Sequence, residues 1–182
     1  MRYKMIYILF LIFLLITIPY VITVFLSQQD KNIQFENYDS GYQVISGNDK
    51  DDLETYLLKI LPGQISMDQE NEAVKAQAVI LRTDIIRRME NKKQIARQKL
   101  PYTTYENSEY RKKLGNRSYQ SMDQKRKKSV SETRGKVITY KNKLIEPYFH
   151  ALSVGMTLDS REWFGKDLPY IREKESLSDI EA

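Results

Sequence analysis

The feature that most constrains this chain is an uncharged apolar segment near its N-terminus. Residues 5–26 read MIYILFLIFLLITIPYVITVFL and contain no Asp, Glu, Lys or Arg. At a rise of about 1.5 Å per residue, a helix of this length crosses the hydrocarbon core of a bilayer. The run is longer than the apolar region of a signal peptide, and no Ala-x-Ala site follows it. We therefore expect an uncleaved transmembrane anchor.

The charges around this segment predict its orientation. Arg2 and Lys4 precede it, whereas Gln28, Gln29 and Asp30 follow it. Lys and Arg accumulate on the cytoplasmic side of a span. We therefore predict a single pass through the cell membrane, with the N-terminus in the cytoplasm and the C-terminal domain outside it. This topology removes nucleic acid as a partner.

The rest of the chain divides into a stalk and one domain. We expect residues 1–27 to form the cytoplasmic N-terminus and the anchor, 28–41 a polar stalk, and 42–182 one extracytoplasmic domain. A domain of roughly 140 residues buries a hydrophobic core without help from disulfides. The chain has no Cys, and His150 is its only His. We therefore expect no metal site and no cofactor.

Hydrophobic periodicity predicts an α+β domain. A short strand at 41–46 precedes an amphipathic helix that begins after Asp51 or Asp52 and ends at the Pro-Gly pair at 62–63. A longer helix from about 71 to 97 is rich in Ala and is expected to be the central core helix. A short helix over 120–132 and a C-terminal hairpin over 136–149, with its turn at 141–142, complete the predicted single mixed domain.

A basic stretch separates the central helix from the hairpin. Residues 87–128 contain fourteen Lys and Arg but only four Asp and Glu. Two interpretations remain open. The cations form an ordinary solvated face, or they converge on anionic wall polymers or lipid head groups.

Five segments of the chain resemble the stage II sporulation protein D / LytB (amidase-enhancer) family in their order and spacing. They are LPGQ (61–64), EAVKAQAVILRT (72–83), TRGKVITY (133–140), YFHALSVGMT (148–157) and EWFGKDLPYI (162–171). The block KAQAVxxRT is the most specific of them. The resemblance implies a membrane-anchored protein that acts at peptidoglycan. Its sporulation members are lytic transglycosylases that cut glycan strands, and other members modify wall amidases.

The resemblance implies that the catalytic group is a Glu at the end of an LPGE-type turn, where this chain has Gln64. In lytic transglycosylation one carboxyl group protonates the glycosidic oxygen. The resulting carboxylate then takes a proton from the sugar's own 6-hydroxyl, and an anhydro ring closes. A side-chain amide does not transfer protons near neutral pH. Glu72 is a weak alternative for the catalytic acid. It lies in the first turn of a predicted helix, where an acid is favoured simply because it interacts well with the helix dipole.

The resemblance further implies that Gln77, Arg82, Ser153, Gly155 and Thr157 bind substrate. For two of them the alternatives remain open. Gln77 is either a buried hydrogen-bonding residue or part of a groove, and Arg82 either makes a structural ion pair or contacts glycan.

Two further observations concern the C-terminal segments. Val154 stands where the family has Gly, which restricts the backbone of that loop. Trp163 and Tyr170 either stack on sugar rings or pack in the core.

The leading hypothesis is a divergent member of this family that binds peptidoglycan glycan strands. It is either a lytic transglycosylase that uses another acid or an inactive relative that assists another wall hydrolase or amidase. An anchored interaction protein with no sugar role is the third alternative.

Overall fold

The computed structural model describes residues 2–29, 39–150 and 153–177. The helices are α1 (Arg2–Gln29), α2 (Leu53–Ile60), α3 (Asn71–Arg88), α4 (Asn107–Leu114), α5 (Asn116–Glu132) and α6 (Ser160–Phe164). The strands are β1 (Gln43–Ser46), β2 (Asp49–Asp52), β3 (Gln94–Ala96), β4 (Thr139–Tyr140) and β5 (Lys143–Leu144). This mixture of helices and small sheets confirms the predicted α+β class.

Helix α1 contains the predicted anchor. Its segment Tyr3–Thr23 is long and apolar enough to cross a membrane, and none of it is buried against other parts of the described protein. Pro19 lies inside the helix without ending it, which membrane helices tolerate. The segment therefore fits a membrane anchor. Most of the predicted stalk falls on residues 30–38, which lie outside the described residues.

A three-stranded sheet opens the domain, in the order β2-β1-β3. Strand β1 pairs antiparallel with β2 and parallel with β3. The sequence pattern did not predict β2, because its residues, DKDD, carry no apolar side chain. Asp52, at the end of β2, caps α2 as predicted, since its carboxylate accepts a hydrogen bond from the Glu54 amide at 2.9 Å.

Helix α3 is the central helix of the core, as predicted, and packs against both α2 and α5. Apolar residues at helical spacing on α2 and α3 meet there and are almost completely buried. They include Leu53, Leu57 and Ile60 from α2, and Val74, Ala78, Leu81 and Ile85 from α3.

The predicted end of α3 is wrong, because the helix stops at Arg88 rather than near residue 97. Glu90 and Asn91 adopt left-handed backbone angles, with φ of 50° and 67°, which terminate a right-handed helix. The chain then enters β3, whose backbone groups are satisfied by parallel pairing with β1.

Two helices were absent from the sequence prediction, and one was too short. Helix α4 lies in a segment with no assigned structure, and α5 starts at Asn116 instead of 120. Helix α6 lies in the segment expected to be loop. The hairpin of β4 and β5 is present, with positive φ at Lys141 and Asn142 as a tight two-residue turn requires. It is much shorter than the predicted 136–149, since each strand has only two residues.

Candidate functional site

A groove of about 290 Å³ runs along α3 and has Gln64 on its wall. Four parts of the chain form it: the turn after α2, one face of α3, the extended segment around Tyr102, and the segment 146–149 that follows β5. The first two correspond to the LPGQ and KAQAVxxRT motifs. The groove therefore brings together two motifs that the sequence did not predict to be neighbours.

Gln64 is presented by a tight turn. Leu61 is fully buried beneath that turn, and the backbone N–H of Gln64 donates to the Leu61 carbonyl at 3.0 Å. Gly63 lets the Tyr105 ring cover the turn, because a Cβ at this position would lie 2.7 Å from Tyr105 Cε2. The turn therefore fixes the backbone from which the Gln64 side chain reaches the groove.

Gln77 lines the groove from α3. Its side chain is only 3% exposed, and Oε1 has no hydrogen-bond partner among the described residues. A buried acceptor without a donor costs on the order of 1–3 kcal/mol. Gln77 contributes to the groove wall, but its Oε1 is itself enclosed, so a ligand N–H or O–H satisfies this acceptor only where the surrounding side chains move to admit it.

Asp84 is the first of two acids on the groove wall. Its carboxylate accepts hydrogen bonds from the Tyr102 hydroxyl and from Arg88 Nε, both at 2.6 Å, and from Arg87 Nη2 at 3.0 Å. Burial tends to raise the pKa of this carboxyl, but the three donors outweigh it and hold the pKa below its usual range. Asp84 is therefore a carboxylate at neutral pH and is not a proton donor.

Glu146 is the second acid and enters the groove from the segment after β5. Burial and a hydrogen bond to the Glu146 carboxylate raise the pKa of the Tyr148 hydroxyl to about 12. The Glu146 amide donates to the Tyr170 hydroxyl at 3.1 Å. Sequence reasoning singled out neither Asp84 nor Glu146, because neither lies at a position with a motif-based role.

Glu72, the alternative acid from the sequence, lies in the first turn of α3 and does not line the groove. Its side chain is 82% exposed and pairs with Lys75 at 2.7 Å. Lys75 also contacts Glu132 of α5, at 2.5 Å. The structure thus places Glu72 in an exposed ion pair between neighbouring turns.

Arg82 is buried and makes a structural ion pair, which was one of the two roles considered for it from the sequence. Nε and Nη2 donate to the two Glu54 carboxylate oxygens at 2.8 and 2.7 Å. Nη1 donates to the Lys136 carbonyl at 3.1 Å. Both charged side chains are 1% exposed, so these contacts hold the guanidinium inside the domain and away from the groove wall.

Ser153, Gly155 and Thr157 lie in a loop that pairs with the segment 174–176. The Gly155 carbonyl accepts from the Ser176 amide at 2.9 Å, and Thr157 Oγ1 accepts from the Lys174 amide at 2.9 Å. Gly155 takes the positive φ, 92°, while the neighbouring Val154 side chain is 95% exposed. None of the three predicted residues lines the groove.

The basic stretch does not form one uniform surface. Several of its cations are used inside the domain. Arg126 is 1% exposed and donates to the Leu58 carbonyl at 2.9 Å as well as to Asp123. Lys127 pairs with Asp123 at 2.8 Å. Together with Arg87 and Arg88 at Asp84, these contacts give much of the basic stretch a structural role.

These features define a class of protein: a small α+β domain behind a membrane-type helix, with a polar groove that has aromatic residues at one end. In the part of the chain that the structure describes, no group of three His, Asp or Glu residues is placed to hold a metal ion. The sequence model of the SpoIID family, described as stage II sporulation protein, matches residues 41–140. The chain belongs to this SpoIID family.

Individual relatives agree with this assignment. Stage II sporulation protein D of Bacillus subtilis (strain 168) is 28% identical over 131 residues, and that of Bacillus amyloliquefaciens is equally similar. An uncharacterised protein of Brachyspira hyodysenteriae is 32% identical over 119 residues, covering 65% of this chain and 30% of that protein. The matches to the two Bacillus proteins cover 68% of this chain and only 38% of each relative. The family relation supports a function connected with sporulation or the cell wall.

Proposed function

We propose that this protein is held in the cell membrane by α1, with its domain outside, and binds peptidoglycan glycan strands in the groove at Gln64. The family relation supports the cell-wall setting. The apolar helix and the cations before it, Arg2 and Lys4, support the anchor and its orientation. In this role the protein is a binding or accessory partner of another wall hydrolase or amidase.

The buried, unpartnered Oε1 of Gln77 is the observation that carries the proposal. N-acetylated sugars of a glycan strand offer amide N–H and hydroxyl donors that would satisfy this acceptor. Gln64 adds a second carboxamide, which both donates and accepts. Tyr148 and Phe149 add partly exposed rings at the other side of the groove. Such a mixture of apolar surface with a few placed polar groups is typical of small-ligand sites.

Two of the groove residues, Gln64 and Asp84, support binding without cleavage. Gln64 replaces the acid that the family places in this turn, and an amide does not supply a proton near neutral pH. Asp84 is held as a carboxylate by Tyr102, Arg88 and Arg87. Neither residue therefore protonates a glycosidic oxygen.

The test uses the full-length chain in lipid nanodiscs and glycan strands freed of stem peptides. Gln77→Leu removes the unpartnered acceptor, so we expect strand binding to weaken about tenfold or more, while the midpoint of thermal unfolding does not fall. Gln98→Leu, on an exposed turn, is the matched control and retains binding. Wild-type protein that fails to sediment with the strands, or Gln77→Leu that binds normally, would refute the proposal.

A second candidate function is lytic transglycosylation with Glu146 as the acid. The supporting observation is that its carboxyl group lines the same groove as Gln64. The Glu146 carboxylic acid would give its proton to the glycosidic oxygen as the bond to the anomeric carbon breaks. The carboxylate would then take the proton of the 6-hydroxyl, whose oxygen closes the anhydro ring on that carbon.

Analysis of the products separates the two candidates. Anhydro-muramyl products from the wild-type chain that disappear in Glu146→Gln would favour the enzyme. No product from the wild type, together with product from Gln64→Glu, would indicate a binding protein whose former catalytic position has lost its acid.

A further inference from the structure

A row of three aromatic rings leaves the groove at Tyr148. The Tyr148 ring stacks on Phe164 with 4.0 Å between centroids and an interplanar angle of 27°. Phe164 in turn meets the Trp163 ring edge to face, with 6.5 Å between centroids and an angle of 86°. We refer to Tyr148, Phe164 and Trp163 as the aromatic row. It connects the groove wall to the outer surface of α6.

The outer end of the row faces solvent. Trp163 is 67% exposed and Tyr148 is 40% exposed. Burying a large apolar side chain favours folding, yet the domain leaves most of the surface of its only Trp in water. Exposed apolar rings that adjoin one another mark a binding surface more often than scattered ones do.

Charged contacts hold α6, and therefore Trp163, in one orientation. Asp159 caps the helix and accepts from the Arg161 amide at 2.9 Å. Arg172 pairs with Asp159 at 3.1 Å and with Asp167 at 2.9 Å, so it links the two carboxylates. The Arg161 amide, followed by Arg172, lowers the pKa of Asp159, and the side chains of the two arginines lower that of Asp167. Exposed pairs of this kind add little stability, but together they reduce the freedom that Trp163 would lose on binding.

We propose that the aromatic row is a second subsite for the same glycan strand, in which a sugar ring that extends beyond the groove stacks on Trp163. The proposal rests on the proposed function. A pyranose ring presents C–H groups on its faces and hydroxyls around its edge. It therefore packs against an aromatic face while its hydroxyls stay in water.

Two features of the structure favour a sugar over a protein as the occupant. The row is continuous with the groove, because Tyr148 belongs to both. The exposed surface of this segment also carries charge, since Arg161 of α6 pairs with Asp167 of the following loop at 3.1 Å. A stable protein interface needs an apolar centre within roughly 1,000 Å² or more of buried surface, whereas one sugar ring needs one aromatic face.

Trp163 also provides the measurement, since its fluorescence is the only Trp signal of the chain. The full-length protein in nanodiscs is titrated with a peptide-free glycan disaccharide and with an octasaccharide. We expect both to bind and only the octasaccharide to change Trp163 emission. Trp163→Ala should weaken octasaccharide binding about tenfold, which corresponds to about 1.4 kcal/mol, and leave disaccharide binding unchanged. Trp163→Phe should retain most of the affinity, and Leu177→Ala, another exposed apolar residue, all of it.

The outcomes separate this proposal from the one it rests on. Octasaccharide binding with unchanged Trp163 emission and undiminished affinity in Trp163→Ala would overturn the second subsite and leave the groove assignment intact. Failure of both oligosaccharides to bind would overturn the proposed function itself. Emission that changes with protein concentration instead of with sugar would make the row a contact between copies of this chain, and would equally overturn the subsite.

Discussion

The buried ion pair between Arg82 and Glu54 gives the sharpest prediction about this domain. The guanidinium joins α3 to α2 through two hydrogen bonds with the Glu54 carboxylate, and it reaches the Lys136 carbonyl beyond α5. It also lies 3.5 Å from Thr133 Oγ1. Since both charged groups are 1% exposed, each compensates for the loss of water around the other. Arg82→Met should therefore destabilise the domain strongly.

The magnitude follows from what remains after the substitution. Arg82→Met leaves Glu54 buried without its partner, and such a loss costs about 3–5 kcal/mol. A domain of this size has a total stability of about 5–15 kcal/mol, so a large part of it would disappear. Arg82→Lys keeps the charge but not the forked pair of donors, and we expect a loss of about 2 kcal/mol. In the double variant Glu54→Leu/Arg82→Met both charges are gone, and stability should return to within about 1 kcal/mol of wild type.

The assay is unfolding by urea, followed by far-ultraviolet circular dichroism with the full-length chain in detergent micelles. Glycan-strand sedimentation is measured in parallel on the folded variants. An unfolding free energy for Arg82→Met within about 1 kcal/mol of wild type, accompanied by lost strand binding, would refute the structural role. That result would instead support the substrate-binding role implied by the family resemblance. A double variant as unstable as Arg82→Met would also contradict the reasoning.

Two further predictions concern the groove wall. Because folding lowers the pKa of Asp84, its carboxylate stabilises the folded state fully at a pH above the pKa of an Asp in the unfolded chain, near 4. This stabilisation is lost as the pH falls through the pKa of the folded state. Asp84→Asn should therefore be less stable than wild type at neutral pH and lose less stability on acidification, which urea titrations at several pH values will show. Gly63→Ala should cost about 1–3 kcal/mol, because the new methyl group displaces the Tyr105 ring; an unchanged thermal midpoint would mean that the ring moves aside freely.

Local signals in the sequence were enough for the parts of the fold that depend on local physics. Apolar spacing predicted α2 and the start of α3, and the turn at Lys141 and Asn142 predicted the hairpin. The early end of α3 depends instead on the pairing of β3 with β1, about fifty residues away. Helix α4 begins with a capping box of Glu106 and Glu109, but a Glu at the N-cap lacks the Ser/Thr-x-x-Glu pattern by which a capping box is recognised in a sequence.

Residues of the candidate site could be predicted from the sequence only where they belong to a recognisable motif. Gln64 and Gln77 were singled out from the sequence, and the structure places both on one groove. Asp84 and Glu146 share that groove, but they are 62 positions apart in a chain whose tertiary contacts the sequence does not reveal. The orphaned oxygen of Gln77 was equally invisible, since the absence of a partner is a property of the packed core.

The charges around the groove bear on position 64, where the family resemblance implies a Glu and this chain has Gln64. A carboxyl group at position 64 would share its groove with Asp84, a carboxylate at neutral pH, and with Glu146. Negative neighbours raise the pKa of a carboxyl group, which favours the protonated form that a general acid needs, whereas Arg87 and Arg88 act in the opposite direction. Because both arginines already bind Asp84, their charge is partly compensated before a third acid is added. Under the proposed function, we therefore expect these neighbours to favour the protonated form of a carboxyl group at position 64, whereas the Gln64 side chain offers hydrogen bonds alone.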